Sequence, residues 1–246
     1  MKSNYRYIVK AFMAMAVIAG TTSCDDFLDR EPMSSISPET YYSTAAQLEA
    51  NLNDEYPNVL PSFGQWTYGI FGEDKGTDNQ IEVNANDRYT QDRWKVPHSE
   101  SDNWKFERIY RINFFLSEAL PKFGEDMSGS QNTISGSVAT IKHYIGEMYF
   151  LRAYEYFKKL QLFGDFPIIN QPLADEMEAL REASKRFPRN EVARFIISDL
   201  DKAYAYMSDV DMATTRINKD AAMLVKSRVA PVSYTHLRAH ETVLDL

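Results

Sequence analysis

Residues 146–169 read GEMYFLRAYEYFKKLQLFGDFPII. Tyr149, Ala153, Tyr156, Leu160 and Phe163 recur at alternating steps of four and three, which sets them on one face of a helix. Phe150, Tyr154 and Phe157 widen that face. Gly164 can supply a left-handed C-cap, and Pro167 keeps the helix from resuming. A face this rich in aromatic rings needs other helices to cover it. The small residues among the rings, Gly146 and Ala153, let such helices come close. On periodicity alone this is a core helix of an α-helical domain.

The order of residues says more than their spacing. The segment resembles the signature helix of the SusD/RagB family of outer-membrane glycan-binding lipoproteins, whose usual form is close to GEARFLRAYYYFxLVRLFGDVPLI. Glu147, the run from Leu151 to Tyr154, Tyr156 with Phe157, the run from Leu162 to Asp165, Pro167 and Ile168 all match. Tyr149 departs from it, since the family often has Arg there. Upstream, WKFERIYRINFFL from Trp104 resembles the family's WxxxYxxIxxxNxFL helix, so Trp104 and Asn113 read as core and helix-contact residues rather than ligands. The run DFLDREPMSSISPETYYSTAAQLEANL resembles the family's N-terminal region, and INKDAAMLVKSRVA a later helix. The resemblance implies an all-α, tetratricopeptide-like helical repeat scaffold with long irregular loops that carry the ligand surface. Locally, Ala153 and Phe157 have the tetratricopeptide Ala-x3-Phe spacing.

The two ends read differently from the body. Lys2, Arg6 and Lys10 precede the apolar run AFMAMAVIAG, which is shorter than the roughly 20 residues a membrane span needs. Residues 1–23 read as a signal peptide. Cys24, the single cysteine, follows it and reads as a lipidation site, with a free thiol as the plainer alternative; no intramolecular disulfide can form. Thr21 stands where a bacterial lipobox usually has Leu. Asp25, Asp26, Asp29 and Glu31 resemble the surface-export signal of such lipoproteins, or form a solvated acidic linker. At the other end, residues 231–246, PVSYTHLRAHETVLDL, look like a translated sequencing adapter, which leaves residues 24–230 as the N-terminal part of a SusD-like domain. His236, His240 and Glu241 have metal-ligand spacing on a helix, but they fall in that tail. Only His98 and His143 remain elsewhere.

The 246 residues hold 27 basic and 35 acidic side chains, a net charge of -8. Without the leader's three basic residues the balance becomes 24 against 35, or -11. An acidic body repels phosphate backbones, so nucleic acid is not an expected partner. A hydrophobic content of 44% supports a folded core, and 13% aromatic residues suit both helix packing and sugar stacking.

Thr44 and Gln47 have the spacing of a capping box, with Leu48 and Leu52 inward from a helix that should stop before Pro57. Phe106, Ile109, Asn113, Leu116 and Leu120 mark a second helix. Residues 124–137, rich in Gly, Ser, Asn and Gln, read as a flexible connector. Residues 172–188 read as a charged linker holding a short helix. Val192, Phe195, Ile196, Leu200, Ala203 and Tyr204 mark an amphipathic helix, and Asn218 caps another with Ala221, Ala222 and Val225 inward.

Residues 61–101 break the helical pattern. They hold Trp66, Tyr68, Tyr89 and Trp94 among Asp, Asn, Gln and Gly. A pyranose stacks its C–H face on a flat ring and pairs its hydroxyls with planar polar groups. Trp66, Asp78, Asn79 and Trp94 are therefore the candidate ligand contacts; the alternative is that the tryptophans pin the loop to the helices. Asp74 and Asp78 could be read as a glycosidase pair, which needs carboxylates about 5–9 Å apart. No catalytic motif surrounds them, and the sequence has no phosphate loop, nucleophile elbow or Cys/His cluster, so neither enzyme activity nor a cofactor is expected. The resemblance implies an oligosaccharide (or peptide) ligand and a SusC-like TonB-dependent transporter as partner. The rival reading is a periplasmic helical-repeat adaptor that binds protein or peptide.

Overall fold

A computed structural model describes residues 41–61, 103–124, 126–208 and 215–244, with side chains described to residue 232. The chain divides into Met1–Thr40, outside the described residues, and a compact unit from Tyr41 onward. The second unit is all-α and tetratricopeptide-like. Among the described residues its helices are α1 (Ala45–Val59), α2 (Glu107–Phe123), α3 (Val138–Phe163), α4 (Met177–Ala183), α5 (Arg189–Tyr206) and α6 (Lys219–Leu244). The only β pairing among these residues is two isolated bridges, Thr44 with Ser135 and Phe166 with Phe187.

The signature segment lies in α3, and α3 is the axis of the fold. It begins at Val138, eight residues earlier than the quoted stretch, and 17 of its 26 residues are buried. It is therefore covered all round rather than amphipathic. α1, α2 and α5 pack directly on it, and α6 packs mainly on α5. Gly146 faces α5 so closely that a Cβ there would meet the Met207 amide nitrogen at 2.9 Å and the Ala203 carbonyl oxygen at 3.0 Å. The small residue sets the approach of these two helices, as the sequence implied. α3 ends at Gly164, whose φ is 69° and ψ -98°, with its N–H bonded to the Leu160 carbonyl. The positive φ was expected of the glycine; the ψ lies outside the left-handed helical region.

The Thr44–Gln47 capping box forms as read, and Leu48 and Leu52 are buried. The expected stop before Pro57 does not occur: α1 runs through it to Val59. A proline in the last turn removes one ladder bond. Near this turn, Lys158 Nζ bonds the Val59 carbonyl at 2.8 Å and Asn58 Nδ2 bonds the Asp54 carbonyl at 2.8 Å. Residues 124–137 are held more firmly than a flexible connector. Ile134 is buried, Ser135 exchanges backbone bonds with Ser43 and Ala45, and Thr133 N–H reaches the Lys122 carbonyl. On α5, Tyr204 is 45% exposed while Asp199 and Tyr206 are buried, so the inward stripe runs differently from the one read at its C-terminal end. Asn218 Oδ1 accepts the Ala221 N–H, as expected of a cap. α6 continues past residue 230 and contains Pro231, so no helix end marks the expected boundary there.

Candidate functional site

Cys24, Trp66, Asp78, Asn79 and Trp94 lie outside the described residues, as do Asp74 and His98 and the side chains of His236, His240 and Glu241. What the described residues show is the stem from which the tryptophan-bearing segment leaves the helices and to which it returns. Val59 and Pro61 form the exit, at the end of α1. Asn103 and Trp104 form the return, ahead of α2.

Two adjacent lysines on α3 hold the two feet. Lys158 Nζ bonds the Val59 carbonyl at 2.8 Å, and Lys159 Nζ bonds the Asn103 carbonyl at 2.6 Å. Both ammonium groups share one buried carboxylate: Glu155 lies 2.9 Å from Lys158 Nζ and 3.3 Å from Lys159 Nζ. A lysine bonded to a carbonyl and a carboxylate can be buried without stranding its charge. Adjacent residues on a helix point about 100° apart, so one carboxylate at i, with lysines at i+3 and i+4, can serve strands on both sides of α3.

Aromatic rings brace the returning foot. Trp104 meets Phe106, Phe163 and Phe166 edge-on, with centroids 5.8, 4.8 and 4.9 Å away, and the Arg186 guanidinium lies 4.7 Å from its ring centroid. Trp104 is thus a packing residue, as its place in the WxxxY pattern implied.

Behind the stem, two polar networks lock the helices. Arg152 on α3 forms a two-pronged ion pair with Asp199 on α5, at 2.6 and 2.8 Å. Its third nitrogen, Nη1, donates to Asn113 Oδ1 on α2 at 2.9 Å and to the Asn170 carbonyl at 3.1 Å. Asn113 in turn donates to the Ile169 carbonyl, and Tyr156 OH both accepts the Ile169 N–H and reaches its carbonyl. The extended chain after Gly164 is thereby fastened to α2 and α3. Burial works against the charge of Arg152, but the bonds and field of Asp199 outweigh it and raise its affinity for the proton.

The second network centres on Glu147. Its carboxylate accepts from His143 Nε2 at 2.8 Å, Arg216 Nε and Nη2 at 2.7 Å each, and Tyr56 OH at 2.6 Å. Burial alone would raise the Glu147 pKa, but these hydrogen bonds hold it below the ordinary 4.5. The Ser208 N–H points at His143 Nδ1 at 3.0 Å, so the lone pair is on Nδ1 and the proton on Nε2, where Glu147 and the Ile217 carbonyl accept it. This histidine is structural. Tyr56 is pushed up from its ordinary value, first by burial and then by the adjacent Glu147.

Reading by apolar periodicity missed these groups because it counts rings and aliphatics. Arg152, Glu155 and Lys159 look like the solvent face of an amphipathic helix. The signal available was their place inside a segment with no free face.

Together these features define a class: a tetratricopeptide-like helical scaffold in which α3 clamps both ends of the tryptophan-bearing segment. The family described as "Starch-binding associating with outer membrane", SusD-like, matches residues 26–230, and the chain belongs to it. Among its relatives, SusD-like protein P2 of Formosa agariphila is 26% identical over 229 residues, covering 88% of this chain and 41% of that protein. SusD-like protein P25 of the same organism is 25% identical, covering 84% and 40%. The chain thus spans about two fifths of the curated relatives it matches. A solved SusD-like protein from Bacteroides fragilis superposes with a TM-score of 0.57 at 21% identity, covering 81% of this chain and 37% of the other. A SusD-like carbohydrate-binding protein from Bacteroides vulgatus gives 0.52 at 15% identity, covering 79% and 42%. At these identities the superpositions speak for the fold.

Proposed function

We propose that this chain is the N-terminal part of a lipid-anchored protein of the outer membrane, exposed at the cell surface, which captures an oligosaccharide and delivers it to a SusC-like TonB-dependent transporter. Membership of the SusD-like family carries this reading. The stem supports it: the excursion that holds Trp66, Asp78, Asn79 and Trp94 springs from feet clamped by Lys158, Lys159 and Glu155. Rigid feet lower the ordering cost of a binding loop. Binding is by stacking and hydrogen bonds, with no bond broken. Residues 1–23 are the signal peptide, Cys24 carries the lipid, and residues 231–246 are foreign to the gene.

The test is calorimetric titration of the full-length gene product with a panel of neutral and acidic oligosaccharides. The expected result is binding to at least one, weakened about tenfold or more by Trp66→Ala with Trp94→Ala, in line with stacking energies of ~1–3 kcal/mol per ring. Unchanged affinity in that variant refutes the site. No binding across the panel refutes the function. Protease treatment of intact cells should remove the protein, and Cys24→Ala should release it from the membrane fraction.

A further inference from the structure

A cavity of about 290 Å³ opens at the exit foot of the stem, between α1, α2, α3 and α6. Its lining includes Asn58, Arg108, Tyr154, Lys158, Gln161 and Arg228, and among the described residues no carboxylate lines it. Three cationic side chains from three helices thus converge on one small space in a chain whose overall charge is -8. Lys158 Nζ sits 5.8 Å from the Tyr154 ring centroid, so charge and a flat ring lie side by side. Behind the cavity lies Glu155, which is 3% exposed. It is occupied by Lys158 at 2.9 Å and Lys159 at 3.3 Å, with Arg108 further off at 3.9 Å. Arg108 is 47% exposed at its side chain, and Arg228, also exposed, has no ion-pair partner among the described residues. One carboxylate, Glu155, is thus shared by Lys158, Lys159 and Arg108, and Arg228 adds a further positive charge. Like charges gathered with too few anions cost free energy, and that cost is recovered when an anion enters. Pro61, the first residue of the tryptophan-bearing segment, lines the same cavity.

We infer that this cavity is a subsite for the carboxylate or sulfate of an acidic saccharide, with Arg108 and Arg228 as its charged donors and Tyr154 beside the sugar ring. The inference rests on the glycan-binding reading above and narrows its substrate class. Arginine suits the task because its planar fork can hold two oxygens of a carboxylate or sulfate at once.

The experiment titrates the full-length gene product with three hexasaccharides: an oligogalacturonate, a sulfated galactan oligomer and a neutral malto-oligomer. Sodium sulfate and free galacturonic acid serve as bare-anion controls. An acidic oligomer is expected to bind, to weaken with added NaCl, and to bind about tenfold less tightly to the Arg108→Gln, Arg228→Gln variant. Both side chains are exposed, and an unchanged melting curve verifies that the variant is folded. Acidic binding unchanged in the variant overturns the subsite. So does binding of the neutral oligomer alone, although that result leaves the glycan-binding reading standing. Displacement of the oligomer by bare anion at equal concentration overturns the saccharide assignment. Failure of every oligomer overturns both readings.

Discussion

Replacing Arg152 by Met removes the guanidinium and keeps a similar length of apolar stem. Asp199, which is fully buried, then loses both of its short bonds, at 2.6 and 2.8 Å. Asn113 Oδ1 and the Asn170 carbonyl lose their donor as well. Breaking one side of a buried pair costs about 3–5 kcal/mol, because the surviving charge is stranded in a poor solvent. One group can soften the loss: Lys202 Nζ lies 3.9 Å from Asp199 Oδ1 and its side chain is 46% exposed, so it is free to swing inward. The expected cost is therefore near the lower end, ~3 kcal/mol. Replacing both partners, Arg152→Met with Asp199→Leu, removes the stranded charge and should cost less than the sum of the single changes, with a coupling of roughly 1–3 kcal/mol. Urea denaturation of the full-length gene product at pH 7, followed by far-ultraviolet circular dichroism, measures all three. A loss below about 1 kcal/mol for Arg152→Met, or strict additivity in the double variant, refutes the claim that this pair locks α2, α3 and α5 together.

Gly146→Ala should destabilise by about 1–3 kcal/mol, since its Cβ would press on the backbone of α5, whereas Gly164→Ala should act through strain at φ 69° alone, with nothing within 4 Å of the new Cβ; thermal melts of the two variants separate the effects. Glu147 and Glu55 should respond oppositely to acid. The Glu147 pKa is depressed, so its stabilisation is present above 4.5 and is lost as pH falls through the lower folded value; Glu147→Gln should lower the melting temperature at pH 7. The Glu55 pKa is raised, chiefly by burial against the opposing field of Arg111, so its ionisation weighs against folding as pH climbs past 4.5. Glu55→Gln should leave the melting temperature at pH 7 unchanged or higher, because Arg111 is 40% exposed and keeps its pairing with Asp54. Finally, Leu162, Met177, Met223 and Leu224 are exposed, at 58, 82, 49 and 65%. A fragment of residues 24–230 should self-associate in analytical ultracentrifugation, and a monodisperse, cooperatively melting monomer would contradict this.

Local chemistry made several elements legible before any coordinates. The capping box at Thr44, the cap at Asn218 and the glycine terminus at Gly164 each depend on residues a few positions apart, so sequence contains all their partners. The inward row on α2, and that on α5 as far as Ala203, were readable for the same reason, since a helix repeats its own face. The errors fell where a distant residue intervened. The Gly/Ser-rich residues 124–137 look loose until Ser43 and Ala45 offer backbone partners.

The sequence by itself determined the family, the helical class and the aromatic face of the LRAYEYF run, because composition, spacing and order along one chain suffice for these. Only the tertiary structure decided which polar groups of that run are interior. Arg152, Glu155, Glu147 and Lys159 are charged, and by their own chemistry they belong in water. They are buried because Asp199, Arg216, Tyr56 and the two feet of the excursion arrive from other parts of the chain to receive them. A buried charge is stable only through partners, and partners at long range are a property of the fold.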